Sequence, residues 1–379
     1  METIKTDRTD KRKWKNKRII LSTNVFDKSL ERIRNIYDNI PNVGVAFSGG
    51  KDSVIILELA IMVAKEKNRL PVPVMFLDQE CEWQATIDIM KRTMNRKEVK
   101  PYWYQIPVNM TNSASFEESF LKAWDPNEKW IREKDPIAIH KADFKNTRFY
   151  KMVVEMNIKT LGDNSCTITG LRTEESPKRY IGLTKNHTVA GMSFGAIIDE
   201  KRKIFTLSPI YDWRTTDVWK AIHENNWDYC SLYDDFFRFG WPVKNMRVSS
   251  LIHEQASRQL RALQEIEPET YDKLQRRLKG VNTFSKMQED ALMPKDLPFM
   301  FKTWTEYKDY LLENLIDKEN QAKMKTSEKT HFKRLGQRIE TTKNVIQAIL
   351  LNDYEGATLE QRVLRMGAKP IKTTFERDD

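Results

Sequence analysis

The segment Val43-Gly44-Val45-Ala46-Phe47-Ser48-Gly49-Gly50-Lys51-Asp52-Ser53 runs from a short apolar strand, through two glycines, into the strongly apolar series 54–64. A strand, a tight turn and a helix in this order leave free amides at the positive end of the helix, and the glycines let a ligand approach the backbone. Lys51 adds a point charge and Ser48 and Ser53 add hydroxyl donors, so the turn suits a chain of phosphate oxygens better than a lone carboxylate. It is not a Walker A loop. Counted from Gly44, the pattern G-x-x-x-x-G-K-[ST] puts Gly50 where the lysine belongs, and Asp52 rather than a hydroxyl residue follows Lys51.

Working outward, Pro71-Val72-Pro73-Val74-Met75-Phe76-Leu77-Asp78 reads as a second strand that ends on an acid. Two strands joined by a helix form a right-handed parallel unit, so Ser48 and Asp78 belong at one edge of the sheet, the edge where ligands bind. A helix is predicted over 82–95 and a third strand over 102–106, while 109–141, with Trp124-Asp125-Pro126 and Trp130, reads as an insertion or lid beside that edge. A helix over 144–158 leads to a strand over 165–169 and then to the loop Gly170-Leu171-Arg172-Thr173-Glu174-Glu175-Ser176-Pro177-Lys178-Arg179. Parallel topology brings this loop to the same edge. Arginine forks grip phosphate or sulfate oxygens in pairs and Glu175 can hold one of them in place; on composition alone the loop reads equally as charged surface. A further strand over 203–210 precedes Tyr211-Asp212-Trp213-Arg214-Thr215-Thr216-Asp217-Val218-Trp219, in which Thr215 or Thr216 is the expected helix cap and Asp217 complements the dipole. This cluster reads as a cap and a packing face, not as a catalytic site.

The bulk properties bound the function. At 379 residues the chain is long enough for about two domains, and no apolar run reaches the roughly 18 residues of a membrane span. A basic, polar start without an apolar signal core places the protein in the cytoplasm. Cys81, Cys166 and Cys230 are odd in number and far apart, and the five histidines form no metal-spaced pair, so neither a disulfide framework nor a zinc site is expected. The net charge of +10 favours acidic partners, nucleotides or nucleic acid. The run Lys11-Arg12-Lys13-Trp14-Lys15-Asn16-Lys17-Arg18 reads either as a nucleic-acid arm or as a solvated tail. Beyond Gly240-Trp241-Pro242 helix-period segments dominate, among them 250–266, 268–278, 307–315 and 329–350. The division is therefore a basic tail over 1–23, a nucleotide-binding α/β domain over 24–239 and a helical basic domain over 240–379.

S-G-G-K-D-S after its strand resembles the PP-loop of the adenine nucleotide α-hydrolase superfamily, which includes ATP pyrophosphatases and phosphoadenosine phosphosulfate (PAPS) reductases. F-L-D-Q, T-G-L-R-T-E-E-S-P-K-R and P-I-Y-D-W-R-T-T-D-V-W follow in the order seen in the PAPS reductase family, and together they span a little under half of the chain. The resemblance implies a parallel twisted sheet with helices on both faces. It also implies an adenine-nucleotide site built from Ser48, Gly49, Gly50, Lys51, Asp52, Ser53, Asp78, Gly170, Arg172, Glu175, Ser176 and Arg179. Lys51, Asp52, Arg172 and Arg179 are the candidate catalytic residues, and Asp52 is the candidate magnesium ligand. The E-C-G-L-H segment that supplies the nucleophile of true PAPS reductases is missing after Thr326, and 149–157 lacks the cysteines of the iron–sulfur type, so no cluster is expected. The chain looks most like the non-redox, IbrA-like branch, whose members are often encoded beside a ParB/sulfiredoxin-like protein, and a partner of that kind is implied by resemblance. The expected activity is cleavage of ATP or a related nucleotide between the α and β phosphates, with AMP transfer or pyrophosphate release. A sulfonucleotide reductase is one alternative, and a nucleotide-responsive nucleic-acid-binding regulator is the other.

Overall fold

The computed structural model describes residues 22–111, 120–184, 192, 194–243, 246–252, 256–278, 281, 293–350, 353, 354, 356 and 359. The basic run 11–18 lies outside them. Helix α1 (Val25–Asn39) starts at Asn24, whose side chain accepts from Asp27 N at 2.8 Å, and buries Leu30, Ile33, Ile36 and Tyr37 along one face. Strand β1 (Asn42–Ala46), helix α2 (Lys51–Glu66) and strand β2 (Val72–Leu77) form the first parallel unit, with Val45 opposite Val74. Helix α2 is apolar nearly all round because the sheet, α1 and a later helix cover it.

The chain continues outward through α3 (Gln84–Met94) to β3 (Val99–Tyr104), then returns through α4 (Phe149–Leu161) to β6 (Ser165–Ile168) on the other side of β1. The sheet order is β3-β2-β1-β6-β8-β7, parallel throughout except where β7 (Gly195–Asp199) runs against β8 (Ile204–Leu207). Strand order therefore reverses between β1 and β6. The crevice beyond their carboxyl ends is the topological switch point, the place where open α/β sheets bind ligands.

Several short elements escaped the sequence reading, among them three strands. Strand β7 is a five-residue edge strand with an irregular burial pattern, and β4 (Val108–Thr111) pairs with β5 (Phe120–Ala123) as a small antiparallel sheet inside the insertion. Just after β5 the insertion is pinned down at Trp124. Trp124 is fully buried, donating its ring N–H to Asp78 O at 2.9 Å and its backbone N–H to Glu80 Oε2 at 2.7 Å.

Helix α5 (Pro177–Thr184) precedes β7, and α6 (Thr215–Glu224) and α7 (Leu232–Arg238) follow β8. The expected cap at Thr215 or Thr216 moves back one residue. Arg214 is the N-cap, and its backbone N–H donates to Asp217 Oδ2 at 2.7 Å, so Asp217 does serve the helix start. The neighbouring acid is structural too, since Asp212 accepts both guanidinium nitrogens of Arg32 at 2.8 and 2.7 Å.

The main core does not stop at residue 240. Met246, Leu251, Ile252, Leu260, Leu263, Tyr271, Leu274, Leu278 and Val281 belong to it, carried in part by α8 (Ala256–Ile266) and α9 (Pro268–Arg277). A second, separate core forms from α10 (Trp304–Asn314), α11 (Lys318–Leu335) and α12 (Ile339–Leu350), around Leu312, Met324, Val345, Ile346 and Ile349. The single helix predicted over 329–350 is two helices, broken at Gly336, which has φ +77°.

Candidate functional site

The turn after β1 has the geometry of an anion cradle. Phe47 N still donates to Met75 O at 3.0 Å, so the chain leaves the sheet only at Ser48. Gly49 has φ +73°, and a Cβ there would lie 3.2 Å from methyl groups of both Thr86 and Ile89 on α3, so neither backbone nor space admits a side chain. Gly50 caps α2 without a side chain, and the Asp52 and Ser53 amides have no acceptor among the described residues. Ser53 Oγ instead fixes the turn from within, donating to Gly50 O at 2.7 Å and accepting from Ser48 N at 3.3 Å.

Lys51 is only 7% exposed, with its ammonium 3.0 Å from Asp52 Oδ2 and 5.4 Å from the centre of the Tyr233 ring. Burial lowers its pKa, Asp52 opposes that shift, and the positive charges of Arg172 and Arg247 add to it. Tyr233, on α7, was invisible to motif reading. Its hydroxyl accepts the Lys51 backbone N–H at 3.0 Å across 182 residues of sequence and so fixes the first turn of α2.

The arginine loop meets the PP-loop at close quarters. A Cβ on Gly170 would stand 2.7 Å from Asp52 O and 2.8 Å from Asp52 C, so the absence of a side chain at 170 is what lets the two loops touch. Arg172 is 2% exposed, donating to Asp52 Oδ1 at 2.6 Å, Glu174 Oε2 at 3.0 Å and Trp213 O at 3.2 Å. Glu174 in turn accepts Thr215 N at 2.7 Å and sits on the positive end of α6. Through Nε and NH1, Arg172 holds Asp52 and the arginine loop together, while its NH2 reaches Thr215 Oγ1 at 3.4 Å.

Arg179 pairs with Glu175, keeps over a third of its side chain exposed, and is braced at its amide by Ser176 Oγ at 3.2 Å. Burial lowers its pKa, and Arg247 adds to that while Asp52 opposes it. Asp52, the candidate magnesium ligand, accepts from Lys51 Nζ through one oxygen and from Arg172 Nε through the other. No group of three metal-ligating side chains occurs among the described residues.

Asp78, at the end of β2, is fully buried. Its oxygens accept Trp103 Nε1 at 2.8 Å, Gln105 Nε2 at 2.9 Å, Arg132 NH2 at 2.5 Å and Glu80 N at 2.9 Å. It thus anchors the insertion beside the crevice, while Glu80 next to it binds Arg277 from α9 at 2.9 Å. Glu82 is buried as well, and burial together with the Asp78 charge pushes its carboxyl pKa up to about 8 against the pull of Arg132. The cysteines are equally enclosed. Burial raises all three thiol pKa values, that of Cys230 to about 12, so none is a reactive thiolate.

Residues 42–240 match the phosphoadenosine phosphosulfate reductase domain, and residues 240–379 match a domain of unknown function, DUF3440. The chain is 26% identical over 286 residues to YbdN of Escherichia coli (strain K12), covering 70% of this chain and 68% of that one. It is 25% identical over 220 residues to the adenosine 5'-phosphosulfate reductase of Lysinibacillus sphaericus (strain C3-41), covering 55% and 76%. Among solved structures it is similar to the FMN adenylyltransferase of Candida glabrata, at 12% identity and TM-score 0.35, over 57% of this chain and 62% of that one. A mainly parallel sheet flanked by helices, a PP-loop and an arginine loop facing each other at its switch point, and a family match over more than half of the sequence agree: the chain belongs to the phosphoadenosine phosphosulfate reductase domain family.

Proposed function

We propose that the protein is an enzyme that binds ATP or a related adenine nucleotide at the PP-loop and cleaves it between the α and β phosphates. The observation that carries this reading is the cradle at the start of α2, where unpaired amides of Asp52 and Ser53 lie beside a buried Lys51 and a turn stripped of side chains. Donors fixed in this way stabilise charge that builds on a departing pyrophosphate without reorganising. Water or an acceptor oxygen attacks the α phosphorus, the bond from that phosphorus to the bridging oxygen breaks, and pyrophosphate leaves with the electron pair while AMP goes to the attacking group. Lys51 neutralises the leaving group, Arg179 approaches the α phosphate from the opposite loop, and Arg172 positions Asp52.

A sulfonucleotide reductase is disfavoured by the thiols. That chemistry needs a thiolate, and all three cysteines of the chain are buried with raised pKa values. Incubation with ATP, alone and with a ParB/sulfiredoxin-like partner, followed by mass spectrometry of every product, tests the proposal. Pyrophosphate with AMP, free or attached to an acceptor, is expected. ADP and inorganic phosphate as first products would remove the mechanism even with ATP bound at the loop.

A further inference from the structure

The segment 246–252 lies within the region matched by the second family, yet it is built into the PP-loop site. It is held at several points. Met246, Leu251 and Ile252 are in the main core, Leu251 N and Ser250 Oγ donate to Cys81 O at 2.8 and 3.0 Å, and Gln259 Nε2 donates to Arg247 O at 3.2 Å. Val248 is tied to the site itself, because its backbone faces the same Tyr233 hydroxyl that receives Lys51 N. Arg247 is therefore set beside the loop by fixed backbone, not by a swinging side chain.

Among the described residues the Arg247 guanidinium makes no ion pair or hydrogen bond, whereas the other cations of the site are matched: Lys51 with Asp52, Arg172 with Asp52 and Glu174, Arg179 with Glu175. It lies close enough for its charge to act on both Lys51 and Arg179. An arginine held in place against two like charges is an unfavourable arrangement that a multiply charged anion reverses.

We infer that Arg247 is a substrate-contacting residue, binding a tetrahedral oxyanion of the ligand in the space it shares with Lys51 and Arg179, so that the region beyond residue 242 completes the site. This rests on the nucleotide reading for the identity of the ligand, but not for the existence of the anion site. The shared chemistry is a phosphate or sulfate group attached to the nucleotide.

Calorimetric titration of the full chain with ATP, adenosine 5'-phosphosulfate, inorganic pyrophosphate and adenosine, in wild type, Arg247→Ala and Arg247→Lys, separates the possibilities. Loss of a charge-assisted contact is expected to weaken binding of the anionic ligands by about tenfold or more in Arg247→Ala, with partial recovery in Arg247→Lys and no change for adenosine. The melting temperature of the ligand-free protein is expected to stay level or rise, because a repulsive charge has been removed. Unchanged affinity for ATP, phosphosulfate and pyrophosphate would overturn the assignment. A lower melting temperature with adenosine binding equally impaired would also overturn it, by making Arg247 a structural residue. If wild type binds pyrophosphate and no adenine nucleotide, the nucleotide reading falls, and the pyrophosphate series still decides Arg247. Preference for ATP over phosphosulfate, or the reverse, names the source of the oxyanion.

Discussion

Two loops leave neighbouring parallel strands at the same edge of the sheet, and each is dense in charge. After β2, Asp78, Glu80 and Glu82 are buried, yet the protein answers the first two from within: Arg132, Trp103 and Gln105 serve Asp78, and Arg277 serves Glu80. After β1, Lys51 shares its one carboxylate, Asp52, with Arg172, and Arg247 stands nearby with no carboxylate partner among the described residues. Burying charge is costly unless it is paired. The closed set of pairs after β2 therefore fastens the fold, and the open set after β1 is where a ligand of opposite sign belongs. Charge at a strand end is thus a poor guide to function until its partners are counted.

Breaking the closed set has the largest expected effect. Glu80 and Arg277 leave 0% and 7% of their side chains exposed, so Arg277→Ala strands a buried carboxylate. The expected cost is about 3–5 kcal/mol in urea unfolding. A cost under about 1 kcal/mol would reduce the pair to the standing of an ordinary surface bridge.

The contact between the two phosphate-side loops is the next point of attack. In Gly170→Ala the new methyl meets backbone of Asp52 at 2.7 Å, and backbone cannot swing aside. A destabilisation of about 1–3 kcal/mol is expected, with weaker nucleotide binding as the first turn of α2 shifts. Gly182→Ala is the control, because its Cβ would meet nothing within 4 Å. Equal behaviour of the two variants would dissolve the link between the loops.

A third test sharpens the comparison through pH. Folded Glu82 keeps its proton up to about 8, while the unfolded chain releases it near 4.5. Over that window the unfolded state binds fewer protons, so this residue makes stability fall as pH rises, by at most about 1.4 kcal/mol per pH unit, and the effect levels off above the folded value. Asp78 and Arg132 face the carboxyl and set its position in that window. Glu82→Gln is expected to flatten the slope in denaturation measured between pH 5 and 8. An unaltered slope would show that Glu82 is ionised in the folded protein.

Much of this was legible in the sequence because it is local. The PP-loop announces itself by a strand, two glycines and a helix in direct succession, and parallel topology alone brings Gly170 and Arg179 to the same edge. What stayed hidden depends on approach across the fold. Tyr233 carries no phosphate motif, and its role exists only because α7 packs against the start of α2. Composition shows the guanidinium of Arg172 but not that Asp52, Glu174 and Trp213 O accept from its Nε and NH1. In the same way, the change of pattern at Gly240 marks a real shift to helices, while the core runs on to Val281 because burial follows packing and not periodicity.

Titration calorimetry of ATP against folded wild type and Lys51→Ala addresses the open charge set most directly. The loss of one charge-assisted donor, worth about 1.5–3 kcal/mol, is expected to weaken ATP binding by roughly 10- to 150-fold, with the melting temperature of the free protein little changed. Equal affinity of the two proteins for ATP would contradict the account, since the cations beside the PP-loop would then be no more a binding site than the acids after β2.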